Sequence, residues 1–432
     1  MSPRMYKLLV WLIAILPGLV ALFFMRSPDT ASVGGVLNYL GRLTGIVGLS
    51  TMLMAAILCC RVPGFDRPFG GLTKMWKLHH QLGAVAFLLL LAHPLLLAFA
   101  AAEVSLTAAV ATLTPTSQSL WLGWIALVLM MVFLAPSFAF FGHPDYQRWK
   151  WVHRLSGPAI ILALIHTALL MRTLPAPWDT LVWVVYVAAA VGALAYRFVF
   201  SRVKGRQPYQ VMQVERSANN VVEISLQAER SRLDHEAGQF VYLTPFDKTL
   251  TNGYAEEHPY TISSAPDEPL LRIAIKDLGD ASRAIQTIAV GSQVKVEGPY
   301  GGFFPPTELG PSLWVAGGIG ITPFLGKVRE LARGEFSGDV HLVYCVQDES
   351  RALFLEELSG YAQALPGFHL SMHYFYREGP LDEAFLNRVC DDVAEREAFI
   401  CGPTPLLSCA RNVLLGAGVP ARRITTEEFE LL

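Results

Sequence analysis

Four histidines lie in the most apolar part of the chain, and their spacing arranges them in two pairs. His79 precedes His93 by 14 residues, and His153 precedes His166 by 13 residues. An ionisable side chain at membrane depth is costly, so by default it marks a function. Two histidines near each end of two helices are what two stacked haems with paired histidine ligands require. The spacing therefore predicts four axial ligands to haem iron.

Helix geometry fits the first pair better than the second. A step of 14 residues rises roughly 20 Å and turns about 1400°, which ends within about 40° of the same helix face. The 13-residue step from His153 to His166 misses that face by about 140° in a straight helix. Because Gly157 and Pro158 lie between them, we expect a bend or an overwound turn there. His80 stays an alternative ligand, although periodicity alone favours the residue before it.

Composition divides the chain near position 200. Hydrophobic residues make up 53% of the 432 residues, and the mean hydropathy is +0.39. Five of the 36 acidic residues precede position 201, namely Asp29, Asp66, Glu103, Asp145 and Asp179. The first 200 residues are therefore expected in a membrane and the remainder in a soluble module. The net charge of −2 argues against a nucleic-acid partner.

Apolar stretches long enough to span a bilayer recur six times in the first half. They are 8–25, 34–60, 78–101, 119–141, 151–171 and 179–199. The first resembles a signal peptide because Arg4 and Lys7 precede it, but it has no convincing cleavage site, which favours a retained helix. Basic residues gather after the second, fourth and sixth stretches, so we expect cytoplasmic termini. His79 and His153 would then lie toward the cytoplasm.

The second half changes to short alternating runs and then to alternating strands and helices. The first pattern predicts a small antiparallel β-barrel, with strands at Tyr209–Val214, Val221–Leu226, Phe240–Leu243, Leu271–Lys276 and Val294–Glu297. The second predicts a parallel, doubly wound α/β dinucleotide fold, with strands at Leu313–Ala316, His341–Val346, His369–Tyr374 and Ala398–Cys401.

Three motifs in this half carry chemistry. His258–Ser264, read His-Pro-Tyr-Thr-Ile-Ser-Ser, is an extended segment rich in hydroxyl groups, and Gly298–Gly302 is a tight glycine turn. In Val315–Pro323 a strand runs through a glycine turn into a helix, whose free N–H groups and dipole suit a pyrophosphate. One glycine turn alone also occurs in ordinary strand–helix connections. The three motifs in this order are much stronger evidence of a dinucleotide-binding module.

With these motifs, the soluble half resembles the ferredoxin–NADP reductase family. Residues 35–432 resemble the transmembrane ferric reductase and NADPH oxidase (NOX) superfamily, in a prokaryotic single-chain form. The resemblance implies a six-helix transmembrane di-haem domain at 1–203, a β-barrel FAD domain at 207–305 and an α/β Rossmann-like NAD(P)H domain at 306–432. In that superfamily the two pairs of haem ligands are spaced by 14 and 13 residues. The pairs His79–His93 and His153–His166 match these spacings, which favours His79 over His80.

The resemblance also implies site residues. For FAD these are His258, Pro259, Tyr260, Thr261, Ser263 and Ser264, with Lys276 and Gly279 on the phosphate side and Gly298 in the glycine turn. For the nicotinamide dinucleotide they are Gly317, Gly318, Gly320, Thr322 and Pro323. The turn that holds the nicotinamide against the flavin is matched by Cys401, Gly402 and Pro403, and the closing aromatic by Phe429.

The expected function is electron transfer from NADPH or NADH through FAD and two b-type haems to an acceptor on the outer face. Arg42 resembles an arginine of the oxidases' oxygen pocket and favours superoxide production, whereas Leu97 replaces a histidine that oxidases often carry. A ferric chelate is the alternative acceptor. For the donor, Asp348 opposes a 2′-phosphate, while Arg351 and Arg377 could hold one, so both nucleotides stay open.

Alternatives from other classes are a haem-free proton channel or transporter, and a cytochrome subunit that takes electrons from another protein. Apart from membrane lipid and these small molecules, no obligatory protein partner is expected. No EF-hand or phosphorylation-type extension is recognisable, which favours a bacterial inner-membrane setting.

Overall fold

The structure is a computed structural model that describes residues 3–25, 32–137, 146–170, 178–201, 205–305, 309–334 and 336–428. The chain separates into two compact units. The first comprises Met1–Val62 and Lys74–Arg202, and the second comprises Pro63–Thr73 and Val203–Leu432.

The first unit is helical throughout its described part. Its helices are α1 (Pro3–Phe24), α2 (Val33–Leu58), α3 (Leu72–Ala102), α4 (Leu106–Leu113), α5 (Gln118–Leu134), α6 (Tyr146–His153), α7 (Ser156–Leu170) and α8 (Trp178–Ala195). Among the described residues, six helical segments have the length and composition to cross a membrane, with α6 and α7 counted as one. This confirms the predicted six-helix bundle. The short helix α4 was not predicted, because its eight residues are too few to span a bilayer.

The expected distortion between His153 and His166 is present. Helix α6 ends at His153, and α7 begins at Ser156. Around this break, three backbone N–H groups, including that of Gly157, donate to the carbonyl three residues earlier, which is the tighter 3₁₀ pattern. Pro158 has no N–H and therefore cannot supply the i→i−4 bond of a regular helix. The predicted overwinding is confirmed.

The second unit begins with an antiparallel sheet. Its strands are β1 (Arg206–Ala218), β2 (Val221–Ala228), β3 (Phe240–Pro245), β4 (His258–Thr261), β5 (Leu271–Lys276) and β6 (Gln293–Tyr300). They lie in the order β4-β3-β6-β1-β2-β5. An antiparallel bridge between Ile262 and Ile273 joins the chain just after β4 to β5, so the two edges of the sheet approach each other. The result is a curled half-barrel, with the short helix α9 (Asp280–Ala284) between β5 and β6.

A parallel sheet follows, with β7 (Ser312–Gly317), β8 (Val340–Val346), β9 (Phe368–Tyr374), β10 (Glu397–Gly402) and β11 (Ile424–Glu428). The strand order is β11-β10-β7-β8-β9. The connecting helices are α10 (Thr322–Leu331), α11 (Leu355–Ala364), α12 (Phe375–Glu378), α13 (Glu383–Val389) and α14 (Thr404–Gly416). Every residue of β7 and β8 is buried, as expected for a parallel sheet covered on both faces. The predicted fold class is confirmed.

Residues 63–73, which connect α2 to α3, form part of the second unit. The Asp66 carboxylate accepts a hydrogen bond from the Gly301 N–H at 2.9 Å, and Arg67 pairs with Glu236 at 3.2 Å. Burial raises the pKa of the Asp66 carboxyl. The composition of the chain, which changes near position 200, gave no sign that this early loop folds with the later residues.

Candidate functional site

The first pair of facing imidazoles joins α3 to α6. The ring centres of His79 and His153 lie 6.3 Å apart. Two metal–nitrogen bonds of roughly 2 Å each, on opposite sides of one ion, place two imidazole centres about 6 Å apart. His80 lies beside this pair, with its ring centre 5.7 Å from that of His79. The distance between His79 and His153 therefore suits two ligands of one iron.

Three of the four histidines are held by the backbone of a neighbouring helix. Nδ1 lies 2.8, 2.6 and 2.7 Å from a carbonyl oxygen in the pairs His79–Ala55, His93–Gly41 and His166–Ser119. Because a carbonyl can only accept, Nδ1 must carry the proton, and Nε2 keeps its lone pair. This tautomer, fixed by a carbonyl partner, is the one that metal-bound histidines commonly adopt.

Two glycines make room for the second pair of imidazoles. A Cβ atom on Gly45 of α2 would lie 2.8 Å from Nδ1 of His93, and one on Gly123 of α5 would lie 2.6 Å from Cε1 of His166. Each glycine follows the accepting carbonyl by four residues. In a helix that carbonyl already accepts from the residue four later, so a bare glycine there lets the imidazole reach the same oxygen.

A cavity of about 280 Å³ lies between these two histidines. Its walls are mainly apolar side chains of α2, α3, α5 and α7, and they include Leu97. Arg42 also lines it, and is the permanently charged side chain among its described walls. The donor set, the glycine-made space and the apolar walls fit a b-type haem held by His93 and His166. Gly45 and Gly123 were not predicted as site residues, although a glycine inside an apolar helix costs about 1 kcal/mol against alanine, which is itself a sign of a packing role.

A second cavity, of about 330 Å³, lies in the second unit. Six residues predicted for FAD line it together with Thr322 of the predicted nicotinamide loop: His258, Pro259, Tyr260, Thr261, Lys276 and Gly279. The fold brings them together because β4 and the end of β5 border the same opening as the start of α10. Phe240, Leu278, Ser282 and Glu427 also line the cavity and were not predicted. This arrangement fits an extended dinucleotide such as FAD.

Three predicted FAD residues do not line this cavity. The hydroxyl of Ser263 donates to Glu223 at 2.6 Å, and that of Ser264 accepts from the Arg272 N–H at 3.1 Å. Both serines are fully buried. Gly298 faces Val241, because a Cβ on it would lie 3.0 Å from Val241 Cγ1. The two serine hydroxyls therefore bond within the protein, and the role of these three residues in FAD binding stays a prediction.

The glycine turn after β7 packs against the turn after β10. A Cβ on Gly320 would lie 2.4 Å from the Cys401 carbonyl oxygen, and one on Gly317 would lie 3.0 Å from Cδ of Pro403. Gly318 has a φ of +55°, a conformation that glycine adopts without a steric penalty. Strands β7 and β10 are parallel neighbours, and ligands of such sheets bind at the carboxyl ends of the strands. Gly402 completes this close contact, with its Cβ position 3.1 Å from Gly317 Cα.

Cys401 is fully buried. Burial, and secondly the Glu427 carboxylate, raises the pKa of its thiol well above the usual range. The thiol is therefore neutral, and a neutral thiol is not a nucleophile. Strand β11 pairs Glu427 directly with Cys401. The predicted closing aromatic, Phe429, lies outside the described residues.

The arginines that could bind a 2′-phosphate are already paired with carboxylates. Arg351 lies 3.5 Å from Asp348, and Arg377 lies 3.3 Å from Glu349. Arg377 also stacks on the Tyr374 ring, with its guanidinium carbon 4.5 Å from the ring centre. Positive charge at this end of β8 is therefore offset locally.

Three family models match the chain in order. They are described as a ferric reductase like transmembrane component at 44–164, an FAD-binding domain at 206–303 and an oxidoreductase NAD-binding domain at 314–412. The chain therefore joins a membrane domain, an FAD-binding domain and an NAD-binding domain in one polypeptide. Its three domains together have the architecture of the ferric reductase and NOX-like flavocytochromes.

Curated relatives include the ferredoxin reductase component of 3-ketosteroid-9-alpha-monooxygenase from Mycolicibacterium smegmatis, 31% identical over 46% of this chain and 57% of the relative. The glycine betaine monooxygenase reductase subunit of Chromohalobacter salexigens is 29% identical over 44% of this chain and 55% of the relative. The chain thus spans little more than half the length of these relatives. A solved structure, the FAD/NAD-binding domain of nitric oxide dioxygenase from Vibrio cholerae, is 23% identical over 52% of this chain and 99% of that one, with a TM-score of 0.47.

Proposed function

We propose that this protein carries electrons from cytosolic NAD(P)H, through FAD and two b-type haems, to an acceptor on the outer face of a bacterial inner membrane. The observation that carries the proposal is the cavity between His93 and His166, where both imidazoles are tied through Nδ1 to helix carbonyls. A proton channel would need histidines that exchange protons with water or with each other. Imidazoles whose Nδ1–H is held by a backbone carbonyl are better suited to bind a metal than to relay protons.

FAD, when bound, takes up a hydride and gives out single electrons, and haem iron passes on single electrons. The residues of the chain position this chemistry. His79 and His153 would hold one haem, and His93 and His166 the other. Because two imidazoles would bind each iron, an acceptor would take its electron without binding the iron itself.

We assign FAD to the cavity of the second unit and the nicotinamide dinucleotide to the glycine turn after β7. Thr322 begins α10 at the end of the glycine turn, where helix N–H groups can hold a pyrophosphate. Lys276 adds a positive charge to the wall of the flavin cavity. The buried, neutral Cys401 thiol adds no charge beneath the turn that is predicted to hold the nicotinamide.

We favour oxygen as the acceptor and superoxide as the product. Arg42 lines the cavity between His93 and His166, and a cation there would stabilise the developing superoxide anion. The alternative is a ferric chelate, favoured by the ferric reductase like match and by Leu97, a non-polar lining residue of the same cavity.

The test is anaerobic reduction of the purified, FAD-loaded protein with NADPH and then NADH, followed by a pulse of oxygen or ferric citrate. We expect the absorption spectrum to show haem that is reduced by nucleotide and then reoxidised by oxygen, with release of superoxide. Slow reoxidation by oxygen and fast reoxidation by ferric citrate would establish the alternative. Absence of any haem absorption would overturn the assignment of the four histidines.

A further inference from the structure

One buried arginine, which lines neither of the two cavities, makes hydrogen bonds through Nε and both terminal nitrogens of its guanidinium. Arg329 lies on α10 with 2% of its surface exposed. Its guanidinium donates to both oxygens of Glu357 at 2.7 Å and to the Ser263 carbonyl at 2.8 Å. It also donates to Glu223 at 2.8 and 3.4 Å. Each carboxylate accepts two hydrogen bonds from the guanidinium, and such bidentate pairs fix the relative orientation of the groups as well as their distance.

These partners belong to different parts of the second unit. Glu223 lies in β2 of the half-barrel, and Ser263 lies in the flavin motif just after β4. Glu357 lies in α11 of the dinucleotide fold, and Arg329 itself follows Thr322 by two turns of α10. The hydroxyl of Ser263 donates to the same Glu223 carboxylate at 2.6 Å. One guanidinium therefore joins the flavin-binding segment to the helix that begins at the nicotinamide loop.

Gly326 brings the backbones of these two elements into contact. It precedes Arg329 by three residues, so the two share one face of α10. A Cβ on Gly326 would lie 3.2 Å from the Ile262 carbonyl oxygen and 3.3 Å from that of Ser264. The helix thus rests directly on the flavin-binding segment, and a larger residue would have to push the segment away.

Stability alone is a poor explanation for this network. Buried ion pairs lose much of their Coulomb energy to desolvation, and apolar replacements are often neutral or stabilising. What the network provides is a fixed geometry, because a planar guanidinium with several partners tolerates little displacement.

We propose that Arg329 and Gly326 are positioning residues for hydride transfer, setting the distance between the nicotinamide and flavin rings. In that step the C4–H bond of the nicotinamide breaks, and the hydride, with both electrons, forms an N–H bond at flavin N5. The inference rests on the FAD and NAD(P)H part of the proposed function and not on the haems.

The test is single-turnover flavin reduction in the full-length, FAD-loaded protein under anaerobic conditions. Arg329→Lys keeps the charge but loses the planar fork, and Gly326→Ala adds the Cβ. A misplacement of about 1 Å can cost about a hundredfold in rate, so we expect each variant to reduce flavin about ten- to a hundredfold more slowly. Nucleotide affinity should stay within about threefold, because both residues are buried and lie beyond the predicted nicotinamide loop.

Two measurements, one optical and one isotopic, separate a positioning role from simple loss of structure. The flavin–nicotinamide charge-transfer band should weaken in the variants, and the isotope effect with C4-deuterated nucleotide should become more dependent on temperature. Arg333→Lys is the matched control, because Arg333 lies one turn further on, half-exposed, and pairs with Asp267 at 3.3 Å. It should behave as the wild type.

Where Arg329→Lys retains little FAD, Glu357→Gln keeps the neighbouring hydrogen-bond acceptor and is measured instead. Wild-type hydride-transfer rates and charge-transfer bands in the FAD-loaded variants would overturn the inference. Failure of the wild-type protein itself to reduce FAD with nucleotide would instead overturn the proposed function, so the two failures are distinguishable.

Discussion

The two units hold their candidate sites by different means. In the membrane unit, three imidazoles are oriented by backbone carbonyls of neighbouring helices, with no ion pair at the contact. In the second unit, the flavin-binding segment is fixed by an ion-pair network in which Arg329 and Glu223 are buried and Glu357 is half-buried. Charged groups buried in lipid are expensive, whereas helix carbonyls are already present at no added cost. Within the bilayer, site residues are therefore better positioned by neutral hydrogen bonds, whereas the soluble unit can position them with ion pairs.

The largest effect should come from removing an imidazole ligand. His79→Leu is expected to lose one haem per chain and to lower electron delivery to an external acceptor about a hundredfold or more, since even partners of metal ligands are worth about 10- to 100-fold. FAD reduction by nucleotide should be unchanged. Haem content by the pyridine haemochrome spectrum, together with acceptor reduction, checks this.

His80→Leu is the matched control, since His80 is the adjacent residue on α3 and was the alternative ligand. It should retain both haems. If both variants kept equal haem, the choice of His79 would be wrong.

A smaller effect should follow from filling the glycine spaces. In Gly45→Ala or Gly123→Ala, the new Cβ would lie under 3 Å from an imidazole, so the ring or the helix must shift. Haem retention during purification should fall about tenfold, as for the loss of a supporting partner, and the haem electron paramagnetic resonance signal should change.

Gly192→Ala in α8 provides the control, because its Cβ would have nothing within 4 Å. It should retain haem and gain up to about 1 kcal/mol from helix propensity. Normal haem signals in both Gly45→Ala and Gly123→Ala would remove the proposed role of these glycines.

A still smaller change is expected at the donor end of the second unit. Asp348→Ala releases Arg351 from its carboxylate partner and removes a negative charge that opposes a 2′-phosphate. We expect the ratio of kcat/KM for NADPH over NADH to rise about tenfold, equivalent to about 1.4 kcal/mol. Steady-state kinetics with both nucleotides measures it, and exposed Asp391→Ala should leave the ratio unchanged.

The smallest expected effect concerns acid stability of the charged network. Burial would raise the pKa of Glu357, but its hydrogen bonds from Arg329 and the Arg329 charge outweigh this and lower it below the ordinary 4.5. A carboxyl with a lowered folded pKa contributes stability that is present above pH 4.5 and is lost as the pH falls through the folded pKa. Thermal unfolding followed by flavin fluorescence should lose less stability below pH 4.5 in Glu357→Gln than in wild type. An identical pH dependence would show that the pair adds nothing.

Much of the fold could be predicted because its signals are local. Apolar length gave the six membrane helices, and the strand–helix alternation gave the parallel sheet. Strands β4 and β11 were missed, since β4 has four residues including Pro259, and β11 reads Ile-Thr-Thr-Glu-Glu without an apolar alternation. The break after His153 was predictable because Pro158 acts on its own helix.

The candidate site was predictable only where a motif carries it. His258 to Thr261 and Thr322 line the expected cavity, but the hydroxyls of Ser263 and Ser264 are directed to partners that lie far away in sequence. Gly45, Gly123 and Arg329 act through contacts between distant segments, and nothing in their local sequence indicates those contacts. Residue type alone cannot show which partner a side chain will meet after folding.

The loop at residues 63–73 has a consequence for the order of synthesis. Asp66 and Arg67 leave the ribosome about 170 residues before Glu236, which at roughly 5–20 residues per second is roughly ten to thirty seconds. Gly301, the other partner of this loop, is made later still. The helical hairpin of α2 and α3 is therefore built with its loop incomplete, and a chain ending at residue 203 would carry this loop without the Gly301 and Glu236 partners seen here.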